Sequence, residues 1–181
     1  PFAVQTILAV LHADLRVNWG TRDPAVLAEG LSAVRRTFEA GVKGGGLSRQ
    51  EADLLLGRLK HGSSAEMVKG ADIILHAARG QGAVPADPGI LRAVAMPGRV
   101  DAIGLRFAMP IVSRRLLEVI DGPDGTPEQV ATGLSLAKRL KKIPVHVRSR
   151  EHSVADRLLA AQNRASDALL DAGASPCQVD Q

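Results

Sequence analysis

The histidines and the single cysteine are the first residues to consider for acid–base, nucleophilic or metal chemistry in this sequence. Histidine is matched to proton transfer because its ordinary pKa is about 6.5. The five histidines are His12, His61, His76, His146 and His152. None of them has the HExxH-type spacing that binds zinc. The single cysteine, Cys177, excludes an internal disulfide and a cysteine-based zinc site, so we expect no metal site.

A short basic cluster, Lys138, Arg139, Lys141 and Lys142, follows an apolar helical pattern. It is interpreted either as a solvated helix end facing the negative end of the helix dipole or as a binding site for CoA phosphates. The charge of the whole chain is 23 − 19 = +4, which argues only weakly for an anionic partner. Aromatic residues make up 2% of the chain, so base stacking on aromatic side chains is not expected.

The composition is that of one aliphatic core. The chain has 181 residues, of which 45% are hydrophobic and 23% are charged, and this balance excludes a disordered tail. No apolar run is long enough for a transmembrane helix, and the apolar start lacks the basic region of a signal peptide. We therefore expect a cytoplasmic protein without a membrane or nucleic-acid partner.

Hydrophobic periodicity predicts strands that alternate with helices. The predicted strands are 15–19, 71–77, 100–107, 116–120 and 143–147. The first and last predicted helices cover 3–13 and 154–170, and the last is closed by Gly173. Three further helices are predicted from their start signals, which are Asp23-Pro24, the capping box Ser48–Glu51 and the capping box Thr126–Gln129. The helix that starts at Ser48–Glu51 is predicted to include Leu59. Residues 80–89 are rich in Gly and Pro and are predicted to be a loop, and 80–88 is the only linker-like stretch. The alternation predicts an α/β domain with a mostly parallel sheet and helices on its faces.

Four stretches of the C-terminal half carry a family resemblance: GLRFAMP (104–110), LLEVIDGPDGTPE (116–128), KRLKKIPVHV (138–147) and DRLLAAQNRASDALLDAGASPCQVD (156–180). With this spacing, the chain resembles the NAD-binding domain of the 3-hydroxyacyl-CoA dehydrogenase family, best over 99–180 and more weakly over 22–77. The resemblance implies a Rossmann-like fold, NAD as cofactor and a 3-hydroxyacyl-CoA substrate in fatty-acid β-oxidation.

The same resemblance implies three catalytic positions, and two of them are substituted. Arg106 stands where the family has its catalytic His, and arginine stays protonated in proteins, so it cannot act as a general base near neutral pH. Glu118, twelve residues later, matches the family's orienting carboxylate. Asp156 replaces the family's Asn. Two simpler interpretations stay open: Glu118 pairs with Arg106 or a neighbouring arginine, and Asp156 is a charge at a helix N-terminus.

On the cofactor side, the resemblance places Thr21 where the family has the Asp that binds the adenosine ribose, and Ala77 matches the Ala that follows a strand. His76 replaces the Glu before that Ala and is interpreted as a core or loop histidine. The family register puts the first strand and the glycine loop before Pro1 and a helical domain after Gln181. Residues 1–181 are therefore predicted to be one partial NAD-binding domain with weak or absent NAD binding.

Three functions remain open from the sequence. The first is an NAD-dependent 3-hydroxyacyl-CoA dehydrogenase acting on acyl-CoA. The second is a catalytically inactive scaffold of the family, or a protein-interaction module, working as a homo-oligomer or with a partner domain. The third, a nucleic-acid-binding module, is weakest because aromatic residues are scarce. Saturable NAD binding would favour the first over the second.

Overall fold

The computed structural model describes residues 2–77, 89–95, 102–148 and 153–180. In chain order its elements are α1 (Phe2–His12), β1 (Val17–Thr21), α2 (Pro24–Lys43), α3 (Arg49–Leu56), β2 (Leu59–Ser63), α4 (Ser64–Met67), β3 (Ile73–His76), β4 (Leu91–Val94), β5 (Ile103–Phe107), β6 (Leu116–Asp121), α5 (Pro127–Arg139), β7 (Ile143–Arg148), α6 (Val154–Asp171) and α7 (Pro176–Val179). Residues 80–88 of the loop predicted at 80–89, the start of the strand predicted at 100–107, and His152 lie outside the described residues.

The helix starts follow the predicted capping residues. Asp23 accepts a hydrogen bond from the Ala25 N–H at 2.8 Å and opens α2, with proline at the first helical position. Complete capping boxes open α3 at Ser48 and α5 at Thr126. Gly173, at φ +95°, follows α6 in the left-handed conformation that terminates helices. These predictions are confirmed.

Five strands match the predicted runs with shifted ends, and two further strands, β2 and β4, were not predicted. Leu59 was assigned to a helix, and this was wrong. α3 ends at Leu56, and the Gly57 N–H bonds to the Asp53 carbonyl, so Leu59 is free to begin β2. β4 lies in a stretch that the sequence left without an element, and it is buried at Leu91 and Ala93.

The strands form two sheets. β1 and β2 make a two-stranded parallel sheet, and the other five are ordered β3-β4-β5-β6-β7. Neighbouring strands are parallel except β5 and β6, which are antiparallel. The mostly parallel α/β fold is thereby confirmed. The sequence did not predict the division into two sheets, in which β1 and β3 are not paired with each other.

Helices cover both faces of the strands. In β1, Trp19 packs against Gly30 of α2, so closely that an added Cβ at Gly30 would lie 2.0 Å from the indole. The next residue, Gly20, lies against Ser64 and Met67 of α4. Because successive strand residues point to opposite faces, α2 and α4 cover opposite faces.

The larger sheet shows the same division. Gly133 of α5 lies against Leu105 and Val119 on one face, whereas Glu118 on the other face bonds to the start of α6. We call the face covered by α1, α2, α3 and α5 the first face, and the one covered by α4 and α6 the second face.

Two clusters of buried apolar side chains form the core. One is built on the five-stranded sheet and α5, and the other on α2, α3 and β1. Helix α1 contributes to both: Ala9 belongs to the sheet cluster, and Ile7, Leu8 and Leu11 belong to the second. α1 therefore holds the two parts of the fold together.

Candidate functional site

The three predicted catalytic residues lie together on the second face. Arg106 of β5 and Glu118 of β6 are direct partners in the antiparallel register, and both are buried, with 6% and 3% of their surfaces exposed. Asp156, in the first turn of α6, places Oδ2 3.7 Å from the Arg106 Nε. The structure therefore brings Arg106, Glu118 and Asp156 into one ionic cluster, which we call the β5–β6–α6 cluster.

Both carboxylate oxygens of Glu118 accept hydrogen bonds from the N-terminus of α6. The Val154 N–H donates to Oε2 at 2.9 Å, and the Ala155 N–H donates to Oε1 at 2.8 Å. The first N–H groups of a helix have no partner within it, and the helix dipole favours a negative charge at this end. Glu118 thus fixes the start of α6 on the sheet.

The Arg106 guanidinium is held among backbone and acidic groups. Its Nη1 donates to the Val94 carbonyl of β4 at 3.0 Å. Burial lowers the pKa of Arg106, and the charges of Asp156 and Glu118 oppose that shift. Arginine remains protonated after such a shift, so this group can bind anions and carbonyl oxygens but cannot take up a proton.

Ser153 belongs to this cluster and was not predicted as a site residue. It is fully buried, and its hydroxyl accepts a hydrogen bond from the Asp156 N–H at 2.9 Å. The sequence signal was available, because a serine three residues before an acidic residue is a common helix start. Asp156 therefore has a helix N-terminal position in addition to its contact with Arg106.

The two predicted cofactor residues lie elsewhere, around a cavity of about 1930 Å³ between β1 and β3. Thr21 ends β1 and Ala77 directly follows β3, and both line this cavity. Since β1 and β3 end at the same edge of the fold as β5, Thr21, Ala77 and Arg106 share the carboxyl edge, where α/β folds bind ligands.

The donor set at this edge fits a dinucleotide poorly. The Thr21 hydroxyl accepts a hydrogen bond from the Asp23 N–H at 3.2 Å, and it cannot supply the carboxylate that accepts hydrogen bonds from a ribose. The described start of α1 carries the bulky Phe2, whose ring packs edge-on against Phe107. A glycine that would let a pyrophosphate approach the backbone is absent from the described first turn.

A comparison with known proteins shows a family resemblance over part of the chain. A model of the 3-hydroxyacyl-CoA dehydrogenase NAD-binding domain matches residues 89–150, which include β4 to β7 and the Arg106–Glu118 pair. This chain resembles the 3-hydroxyacyl-CoA dehydrogenases. The resemblance predicted from the sequence is confirmed over that stretch.

Curated relatives match less than half of the chain. A peroxisomal bifunctional enzyme of Danio rerio is 37% identical over 78 residues, which is 43% of this chain and 11% of that protein. A fatty acid oxidation complex subunit alpha of Psychrobacter sp. (strain PRwf-1) is 35% identical over 79 residues, 44% of this chain and 11% of that protein. The chain thus spans about a tenth of the length of the curated relatives it matches.

Solved dehydrogenase structures show the same fold. (S)-3-hydroxybutyryl-CoA dehydrogenase PaaH1 from Ralstonia eutropha superposes with a TM-score of 0.84 at 21% identity, covering 97% of this chain and 70% of that one. FadB2 of M. tuberculosis gives 0.87 at 18% identity with the same coverage of both chains. The Rossmann-like architecture predicted from the sequence is confirmed.

Lys142 of the basic cluster has a structural role. Its Nζ donates hydrogen bonds to the carbonyls of Ile111 and Arg114, and burial lowers its pKa. This leaves Lys138, Arg139 and Lys141 for either of the two interpretations of the cluster. A phosphate site that needs Lys142 would have to break both bonds to the backbone.

The part of the chain that the structure describes shows neither a metal-binding group of side chains nor a helix that could span a membrane. No group of three His, Cys, Asp or Glu side chains there is close enough to hold a metal ion. None of the described helices is long and apolar enough to cross a membrane. Cys177 is exposed.

Proposed function

We propose that this chain is a non-catalytic scaffold of the 3-hydroxyacyl-CoA dehydrogenase type. The single observation that carries the proposal is the state of the β5–β6–α6 cluster. Its carboxylate, Glu118, is bonded through both oxygens to the backbone of α6, and its strand partner is the cation Arg106. The groups at this position stabilise a helix on a sheet.

Oxidation of a 3-hydroxyacyl thioester needs a group that accepts the hydroxyl proton while hydride leaves carbon 3. Arg106 is poorly suited to accept that proton, because a guanidinium has no acceptor atom at neutral pH. Loss of a general base typically lowers the rate by about 10²–10⁴. The family's second polar residue is also replaced, by Asp156, whose carboxylate faces Arg106 at 3.7 Å.

Arg106 and Asp156 support each other in the proposed scaffold. A buried arginine is stable only if nearby groups compensate the cost of removing its charge from water. Here the Val94 carbonyl, Asp156 and Glu118 surround it. Where the family has a His that transfers a proton, this chain therefore has Arg106, which forms an ion pair that links β5, β6 and α6.

NAD is the cofactor of the matched family, and we expect this chain to bind it weakly or not at all. Thr21 offers a hydroxyl in place of a ribose-binding carboxylate, and it already accepts the Asp23 N–H. The proposal assigns no step to NAD. When bound in an active relative, NAD would supply the hydride acceptor.

Two measurements on the 181-residue chain test the proposal. Turnover is followed as NADH absorbance with acetoacetyl-CoA, and cofactor binding is followed separately as NADH fluorescence. We expect no turnover above the uncatalysed background and no saturation in the low micromolar range. Robust turnover, or a dissociation constant of a few micromolar, would refute the scaffold.

A pair of matched variants examines the role of Arg106 itself. Arg106→His restores an imidazole beside Glu118, whereas Arg106→Lys keeps the cation and adds no base. At one high NADH concentration, the same for all variants, we expect any gain in turnover to be confined to Arg106→His. If the unmodified chain turns over and Arg106→Lys leaves its rate unchanged, another residue supplies the base.

An active dehydrogenase is the second candidate. It is favoured by the 35–37% identity to proteins named as a bifunctional enzyme and a fatty acid oxidation complex subunit. In that case the chain would act on acyl-CoA, and the turnover assay decides between the two. A cytoplasmic location, a single domain, and a homo-oligomer or partner domain stay predictions.

A further inference from the structure

Positive charge is concentrated in two segments of the chain that contain no acidic residue. Residues 107–117 hold Arg114 and Arg115, and residues 129–147 hold the four residues of the basic cluster at the end of α5. Removing these six cations from the 23 Lys and Arg of the chain leaves 17 against 19 Asp and Glu elsewhere. The positive excess of the whole protein is therefore located in these two segments.

Hydrogen bonds and strand pairing bring the two segments together. Lys142 donates from Nζ to the Arg114 carbonyl at 2.7 Å, and the Ile143 N–H donates to the Arg115 carbonyl at 2.7 Å. Leu116, the first residue of β6, is paired with Ile143, the first residue of β7. The loop between β5 and β6 thus lies beside the end of α5, where β6 and β7 both start.

The cations of this region are available to a partner. Four of them are exposed: Arg114, Arg115, Lys138 and Lys141. Among the residues that the structure describes, no carboxylate forms a salt bridge with any of these four. The pKa of Asp14 is lowered chiefly by its hydrogen bond from Arg58 and last by the charge of Lys141, so this nearby acid is already paired.

Exposed apolar side chains occupy the same region. They are Met109 and Val112 in the loop, and Leu116 and Ile143 at the two strand starts. Val112 is 53% exposed and Ile143 is 52% exposed. Single exposed apolar residues are ordinary, whereas a group of them beside unpaired cations indicates a binding surface.

We call this group the β6–β7 surface. Its apolar members are Met109, Val112, Leu116 and Ile143, and its basic members are Arg114, Arg115, Lys138 and Lys141.

The two earlier interpretations of the basic cluster leave most of this surface unexplained. The helix dipole favours Lys138 and Lys141 at the end of α5, but it does not reach a pair of arginines in a separate loop. A phosphate site needs donors that converge, and Lys142, which lies between the two segments, is bonded to backbone carbonyls. Neither interpretation gives the apolar side chains a role.

We propose that the β6–β7 surface binds an anionic lipid bilayer, with its cations on the headgroups and its apolar side chains inserted between them. Interfacial binding of this kind combines buried apolar area with attraction to anionic lipids. It involves one leaflet and needs no spanning helix. It departs from the expectation of no membrane partner, which rested on the lack of a long apolar run. It holds whether or not the chain is a catalyst.

Cosedimentation of the 181-residue chain with lipid vesicles tests the proposal. One set of vesicles is phosphatidylcholine alone, and the other is three parts phosphatidylcholine to one part phosphatidylglycerol. We expect binding to the anionic set at about 0.1 M salt, and at least tenfold weaker binding to the neutral set or at about 1 M salt, where the screening length is about 3 Å. Equal binding to both sets would overturn the proposal, and so would no binding to either.

A matched pair of double variants locates the contact. Arg114→Gln/Arg115→Gln removes two adjacent cations from the β6–β7 surface, and Arg35→Gln/Arg36→Gln removes an adjacent exposed pair from α2. Each cation near an anionic leaflet strengthens binding about fivefold, so the first variant should bind roughly 30-fold more weakly. The α2 variant should bind as the parent does. Equal weakening in both would mean that net charge alone governs binding and would overturn the assignment to this surface.

A second double variant, Lys138→Gln/Lys141→Gln, examines the α5 side of the same surface. We expect a similar loss, and this pair keeps the location testable if the arginine variant does not fold by circular dichroism. Parent-like vesicle binding by folded protein of either variant would overturn the proposal.

The apolar contribution is tested by Val112→Ser, with Val26→Ser as the control. Val26 is 51% exposed on α2, so the two changes remove the same side chain at nearly the same exposure. Val112→Ser should weaken vesicle binding roughly threefold, because only half of the side chain is still to be buried. No difference between the two variants would overturn the insertion of apolar side chains.

Coenzyme A is titrated into the same proteins by calorimetry. We expect no CoA binding that depends on Arg114 and Arg115. CoA binding that Arg114→Gln/Arg115→Gln abolishes, in a chain that does not bind vesicles, would overturn the lipid assignment and indicate a phosphate site.

Discussion

Replacing Glu118 by glutamine should release α6 from the sheet. The carboxylate accepts the N–H groups of Val154 and Ala155 at 2.9 and 2.8 Å. The isosteric amide has one acceptor oxygen, and its NH₂ group faces the second N–H with donor opposite donor. α6 has no buried residue of its own, so little other packing compensates for the loss.

The size of the effect follows from these two bonds. A hydrogen bond to a charged group contributes about 1.5–3 kcal/mol and a neutral one about 1 kcal/mol. Losing one bond and neutralising the other costs about 3 kcal/mol in total. At 1.36 kcal/mol per factor of ten, the equilibrium for opening α6 rises roughly 150-fold.

Hydrogen exchange measures this opening directly. Amides in α6 should exchange roughly 150-fold faster in Glu118→Gln, while those of β5 change much less because they lie in the core. The matched control is Glu128→Gln, which makes the same change in the first turn of α5 at an exposed position. We expect it to leave α6 exchange unaltered.

Two results would refute the reasoning. If Glu118→Gln and Glu128→Gln alter α6 exchange equally, the carboxylate does not hold the helix. If β5 and α6 accelerate together, Glu118 stabilises the whole fold and α6 has no separate opening reaction.

Further predictions concern the packing of β1 and the acid stability. Gly30→Ala places a Cβ 2.0 Å from the Trp19 indole and should lower the unfolding free energy in urea by about 1–3 kcal/mol. Gly41→Ala, whose Cβ would be 3.7 Å from its nearest neighbour, should instead raise it by about 0.5–1 kcal/mol. Hydrogen bonds from Ser48 hold the pKa of Glu51 below its ordinary value of 4.5. The unfolded chain therefore binds this proton more tightly, and the contribution of Glu51 is present above pH 4.5 and lost as the pH falls through the folded pKa. Acid titration of Glu51→Gln followed by circular dichroism should show a shallower loss of stability between pH 5 and 3 than the parent; an identical slope would contradict this.

The elements that the sequence predicted are those with local signals. α2, α3 and α5 begin at side chains that bond to their own backbone, and β5 and β6 are largely apolar runs that are buried on both faces. β2 lacks such a signal, because LKHGS contains a glycine and three polar residues and is held as a strand by pairing with β1. Short strands of this kind depend on their neighbours more than on their own residues.

The sequence predicted which residues form the site, and it said less about what those residues do there. Antiparallel pairing puts Arg106 opposite Glu118 in the described register, and the family resemblance connects both with Asp156. The hydrogen bonds from Val154 and Ala155 depend on how α6 packs against β6, which no local pattern specifies. The separation of β1 from β3 is likewise a property of the assembled fold.

Helix α1 has a further consequence for the cooperativity of unfolding. It places Ala9 in one apolar cluster and Leu11 in the other, so the packing contacts that couple the stabilities of the two clusters are made largely by one eleven-residue helix. Cooperative units separate when the coupling between them is weaker than the difference in their own stabilities. Loosening α1 would therefore change the number of unfolding transitions as well as their midpoints: the β1–β2 part and the five-stranded part would melt independently, each at its own temperature.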